Sequence, residues 1–176
     1  MITDWKEIGI NIGALTEKDT FDKGSSTHEA KQALALILGE EWIRHSVDMA
    51  LTIEPGAELA MQCLRQLTSE YAVDYAYSIY RSDPDEERKR QAVWLIKHLA
   101  VPKSFQWVET FLQDKNVMGW GIGVLDQLLW CNRIDYEDNK EHIDSLFEIA
   151  IKNSGGRLKD NIDFIRDYLR NRDEND

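Results

Sequence analysis

Cysteine, proline and strand signals are scarce in this chain, and each shortage narrows what it can be. Two cysteines among 176 residues, Cys63 and Cys131, stand in separate helical apolar patterns, so neither a disulfide framework nor a Cys-x-x-Cys metal site is written here. A reducing compartment suits such a chain, and the expected location is cytoplasmic. The three prolines, Pro55, Pro84 and Pro102, all fall between apolar periodic segments and interrupt none of them. Sustained period-two alternation and Asn-Gly hairpin turns are missing, which argues against a sheet. No apolar run approaches a membrane span, and the opening "MITDWKEIGI" lacks the basic and apolar regions of a signal peptide.

Basic charge is also short: 21 Lys and Arg stand against 32 Asp and Glu, a net charge of −11. Such a balance repels nucleic acid and anionic membrane and attracts basic partners. At this length roughly 70% of the unfolded chain's surface can be buried, enough for a core without staples.

What the chain does have is helical periodicity. Helices are expected at about 3–15, 28–38, 41–53, 56–67, 69–81, 85–100, 103–113, 117–131, 139–151 and 158–170. The links "EPG", "TS", "VP" and "QDKN" are short, so successive helices become antiparallel neighbours. "DKGSST", "NRIDYEDN" and "NSGG" read as longer loops. The fold class expected is all-α, with residues 1–170 as one domain built around a helix-pair array over about 28–151, and 171–176 as a disordered acidic tail. Pairs restart near 28, 56, 85 and 117, a period on the order of 30 residues.

The stretch "AVWLIKHLAVPKSFQWVETFLQDKNVMGWGIGVLDQLL" resembles a HEAT-type repeat: a first helix of small and branched apolar residues, then a second ending in an L-x-D turn, here Leu112-Gln113-Asp114. The resemblance implies antiparallel pairs stacked as a short right-handed superhelix; a compact α bundle is the alternative. The proline often found in the first helix of such repeats is missing, and Gly119-Trp120 stands where Val-Arg usually follows the turn.

Motifs of catalysis are hard to find. The run "NVMGWGIGVLDQLLW" carries Gly119, Gly121 and Gly123, but a dinucleotide fingerprint needs G-x-G-x-x-G after a strand, and a P-loop needs a lysine that does not follow. His28, His45, His98 and His142 lie in four helices without ligand spacing. "DYEDNKEHIDSL" imitates a calcium loop, yet Lys140 replaces the glycine and Leu146 the bidentate glutamate. No GxSxG elbow appears. The expectation is a non-enzyme without cofactor or metal.

Charge patterning is more informative. On a wheel of about 100° per residue, each second helix of a pair shows an outer polar stripe opposite an apolar one. Glu41, His45 and Asp48 oppose Ile43, Val47 and Ala50; Glu70, Asp74 and Tyr77 oppose Ala72, Ala76 and Ile79; Glu141, Asp144 and Glu148 oppose Ile143, Phe147 and Ala150. Asp114 closes the helix between the last two. Bases concentrate on first helices, at Arg65, Arg88, Lys89, Arg90 and Lys97. In a HEAT-type array the second helices line a concave binding surface, so the resemblance implies an acidic face suited to a basic protein.

The glycine run raises a second possibility. Val117, Gly121, Val124, Leu125 and Leu128 gather on one face, flanked by Met118, Ile122 and Leu129, while Gly119 and Gly123 share the other with Asp126 and Trp130. Gly121 suits close approach of a neighbouring helix. Gly119, Gly123 and Trp130 read as a slot, covered either by the C-terminal segment or by a partner.

By size, charge and architecture the chain resembles bacterial immunity proteins that neutralise contact-dependent (CDI-type) nuclease toxins. That resemblance implies a monomer in the free state that binds a cognate basic toxin. The site residues would be Glu41, His45, Asp48, Glu70, Asp74, Tyr77, Asp114, Trp130, Glu141, Asp144 and Glu148. HEAT-like relatives also include bilin lyase subunits and a DNA glycosylase, so an enzyme or lyase subunit is an alternative, as is a general adaptor. An acidic face disfavours the glycosylase, which needs a basic one.

Overall fold

The computed structural model describes residues 4–19 and 26–173, with side chains to 171. It is all-α, and the described residues form nine α-helices and one 3-10 segment without a strand. The expected loop at 22–27 and the ends of the chain lie largely outside the described residues. The chain divides into two compact units, residues 1–75 and 76–176.

The first unit holds α1 (Trp5–Asn11), α2 (Thr27–Ala50), α3 (Ala57–Leu67) and the start of α4 (Glu70–Ser82). Ser26 and Glu29 cap α2 reciprocally, each side chain accepting from the other's backbone N–H, and this holds the Glu29 carboxyl below its ordinary value. The two helices expected over 28–38 and 41–53 are both present, running together as α2 and broken by a kink at Gly39. Its φ of 78° and ψ of 162° lie in a region open only to glycine. Beyond the bend α2 packs on α3, burying Ile43, Val47, Ala50, Met61, Leu64 and Leu67. Ahead of it, only Ala33 is buried. Leu34, Leu36, Ile37 and Leu38 keep 50%, 47%, 42% and 38% of their surface exposed.

The second unit holds the rest of α4, then α5 (Glu86–Leu99), a 3-10 segment (Pro102–Trp107), α6 (Val108–Gln113), α7 (Met118–Trp130), α8 (Tyr136–Ser154) and α9 (Lys159–Asp173). The expected helix 103–113 is therefore two pieces. Pro102 opens the tighter first turns, and the buried Ser104 hydroxyl donates to the Val101 carbonyl at 2.7 Å. Asp85 and Asp135 cap α5 and α8, and the cap at Asp135 starts α8 three residues earlier than the sequence suggests. Gly155, at φ 61°, ends it. Helix α9 continues to Asp173, three residues into the expected tail; 174–176 lie outside the described residues.

Helix α5 packs on α7, α6 on both α7 and α8, and α8 on α9. First helix on first and second on second is how stacked pairs share a core. That core is mainly apolar and includes Val93, Leu95, Ile96, Phe111, Leu125, Leu128, Ile143 and Phe147, with Ser104 and Ser154 buried among them. Among the described residues no helix is long and apolar enough to cross a membrane.

Candidate binding surface

The acidic stripes stand where the wheels place them. Ile43, Val47, Ala50, Ala72, Ala76, Ile79, Ile143, Phe147 and Ala150 are all buried. Glu41, His45, Glu70, Glu141 and Glu148 are exposed on the opposite faces, with Asp48, Asp74, Tyr77, Asp114 and Asp144 half-buried. Exposure alone does not make these groups equivalent, because several already work inside the protein.

In the first unit Asp48 accepts from the Tyr75 hydroxyl at 3.1 and 3.2 Å, and the Arg44 guanidinium lies 4.9 Å from the centre of that ring. In the second unit Asp114 is the keystone of a turn. Its carboxylate accepts from the Asn116 backbone at 2.9 Å and from the Tyr80 hydroxyl at 3.3 Å, while its carbonyl receives the N–H groups of Val117 and Met118. Burial and that carboxylate push the Tyr80 phenol up to about 12. The L-x-D signal in the sequence thus builds a turn.

Tyr77 stacks on Trp107 with ring centres 4.1 Å apart and planes 4° from parallel, and Phe111 meets its edge. Asp144 accepts from Tyr136 at 3.4 Å and lies 3.9 Å from Lys140; Glu148 pairs with Arg166 at 3.0 Å. Glu41 and Glu141 stand exposed on their stripes. The bases of α5 face their own acids: Arg88 pairs with Asp83 at 3.2 Å, Lys89 with Glu86 at 2.7 Å, and Arg90 with Glu87.

The glycines of α7 resolve separately. A Cβ on Gly121 would lie 2.7 Å from the Phe111 Cβ and 3.2 Å from its backbone carbon, so glycine here lets α6 and α7 touch. At Gly123 the obstacle would be the Lys97 stem, 3.1 Å away; at Gly119 nothing lies within 4 Å. The ring beside these two glycines is Trp120, not Trp130. Although Trp130 shares their face, it sits two turns beyond Gly123, about 10 Å along the axis. Trp130 is 61% exposed and leans on Tyr168 of α9, ring centres 5.0 Å apart.

The slot itself is a groove of about 240 Å³ between α5, α7 and α9, lined by Lys97, Gly119, Trp120, Gly123, Asp126, Asn161 and Phe164 among others. The C-terminal segment supplies one wall without closing it. Sequence reasoning named the glycines but missed Lys97 and Phe164, because no local pattern tells which helices meet α7.

Both cysteines are free and exposed. His98 and His142 are spent on ring contacts with Trp94 and Phe105. Among the described residues no group of three or more His, Cys, Asp or Glu side chains converges as a metal site. No family model matches the chain, and no curated protein or solved structure matches it.

Proposed function

We propose that this chain is a non-catalytic protein-binding module that captures and blocks a basic protein, in the manner of an immunity protein against a nuclease toxin. The observation carrying this reading is the placement of carboxylates on rigid helices. In α8, Glu141 and Glu148 stand exposed directly behind Ile143, Phe147 and Ala150, which are fully buried. Charges fixed this way present a field without first having to order a loop, and with a net −11 behind them they steer a cation into contact. Nucleases are basic where they hold phosphates, so an acidic body occupying or flanking that surface excludes substrate. The module works as a cytoplasmic monomer, needs no cofactor, and binds neither nucleic acid nor membrane.

The candidate contacts are Glu141 and Glu148 within the second unit and, separately, Glu41 and His45 within the first, while Asp48 and Asp114 serve the fold. Co-expression with the product of the adjacent upstream gene is the test. A co-purifying basic protein whose activity is suppressed supports the reading, and Glu41→Lys with Glu141→Lys should then slow association about tenfold or more. Helicity should stay unchanged, since exposed charges contribute little to stability. An adjacent product with no toxin or secretion character, and no binding, overturns it.

A further inference from the structure

The groove beside α7 has chemistry that its own residues leave unfinished. Lys97 and Asp126 carry opposite charges in one groove yet form no ion pair. The Lys97 ammonium lies instead over the Trp120 ring, 5.7 Å from its centre. Asp126 is half-buried, and desolvation raises its pKa although the distant Lys97 charge pulls the other way. A half-buried carboxylate that water still reaches can exchange that water for a ligand's donor.

Around it, Trp120 offers a face, and Phe164 stands 67% exposed on the opposite helix. Asp160, four residues before Phe164 on α9, shares its face, while Asp167, three residues after it, is paired with Arg170 at 3.4 Å. Two glycines leave the α7 side of the groove bare. Gly123 accommodates the Lys97 stem, whereas Gly119 has open space and no packing reason to lack a side chain.

We infer that this groove receives an arginine side chain from a basic protein partner, its guanidinium stacked between Trp120 and Phe164 and hydrogen-bonded to Asp126. The inference rests on the protein-binding reading above and names one contact within it. A guanidinium fits for three reasons: it is weakly hydrated, it stacks on aromatic faces, and its fork meets a carboxylate with two parallel bonds. Lys97 is the resident cation, holding the Trp120 face until displaced. A lysine from the partner would gain less, because its ammonium is more strongly hydrated and makes no planar stack.

The probe is the peptide acetyl-Gly-Arg-Gly-amide, titrated into the whole chain while the Trp120 indole N–H resonance, assigned with Trp120→Phe, is followed by NMR. Saturable movement is expected, with the lysine peptide several-fold weaker and the neutral citrulline peptide weaker still. Asp126→Asn should weaken the arginine peptide roughly tenfold, the loss of a charge-assisted pair, and Lys97→Met should tighten it by removing the competitor. Equal response to arginine and lysine, an unchanged affinity in Asp126→Asn, or no saturation with the wild-type chain overturns the inference. Failure of the peptide while the adjacent gene product is still captured removes the groove alone. Binding of the peptide in a chain that captures no basic protein removes the protein-binding reading and leaves the groove.

Discussion

Helices α2 and α7 make an instructive pair, because both carry glycine in an apolar sequence and the two outcomes are opposite. In α2 one glycine, Gly39, takes φ 78° and bends the helix, and the four large apolar side chains between Ala33 and the bend stay at least a third exposed. In α7 three glycines leave the helix unbroken, and Val124, Leu125, Leu128 and Leu129 are buried on one face. Both stretches carry several Leu and an Ile; the neighbours differ. Helix α7 has α5, α6 and α8 to pack on, while α2 packs on α3 and more lightly on α1, and all its buried residues except Ala33 lie beyond the bend. Burial is a property of the neighbourhood, not of the residue.

The largest break in this comparison comes from truncating one leucine in each helix. Leu125→Ala in α7 should cost about 2–5 kcal/mol, a buried side chain lost with a cavity left behind, whereas Leu36→Ala in α2 should cost under about 1 kcal/mol. Denaturant unfolding of the two variants measures both, and equal losses would mean that the first half of α2 is packed after all. Next in size is Gly121→Ala. The new methyl must push Phe111 aside, and overpacking of about 1–3 kcal/mol outweighs the gain in helix propensity of about 1 kcal/mol. A lowered melting temperature is expected.

Smallest is Gly119→Ala, which sharpens the contrast between the glycines of α7. With nothing within 4 Å and ordinary helical geometry, alanine there should stabilise the chain by up to about 1 kcal/mol. The same methyl enters the groove, so arginine-peptide binding should weaken as the melting temperature rises. Such a split is expected where glycine is kept for contact rather than for packing.

Much of the helix inventory was legible in the sequence because periodicity and punctuation agreed: the apolar face of α7 and the buried halves of α4 and α8 follow directly from spacing. Gly39 shows the limit. A break was visible between 38 and 41, but whether the chain turns back or merely bends depends on one φ angle. The 3-10 start at Pro102 and the early start of α8 at Asp135 are also cap-level choices that tertiary packing settles.

At the candidate site, residue spacing announces the stripes but not their partners. Asp48 shares a stripe with Glu41 in the sequence, and Asp114 closes a helix, but the hydrogen bonds that tie them to Tyr75, Tyr80 and the Asn116 backbone are visible only in the fold. Lys97, 22 residues ahead of Gly119, joins the groove through the contact of α5 with α7, which no local motif announces.

The most direct test of the protein-binding account is the affinity for the adjacent upstream gene product, measured by calorimetry at increasing salt. The account predicts a tight complex whose association weakens steadily as ionic strength rises, as charge-steered capture requires. Absence of binding, or an affinity indifferent to salt, would contradict it.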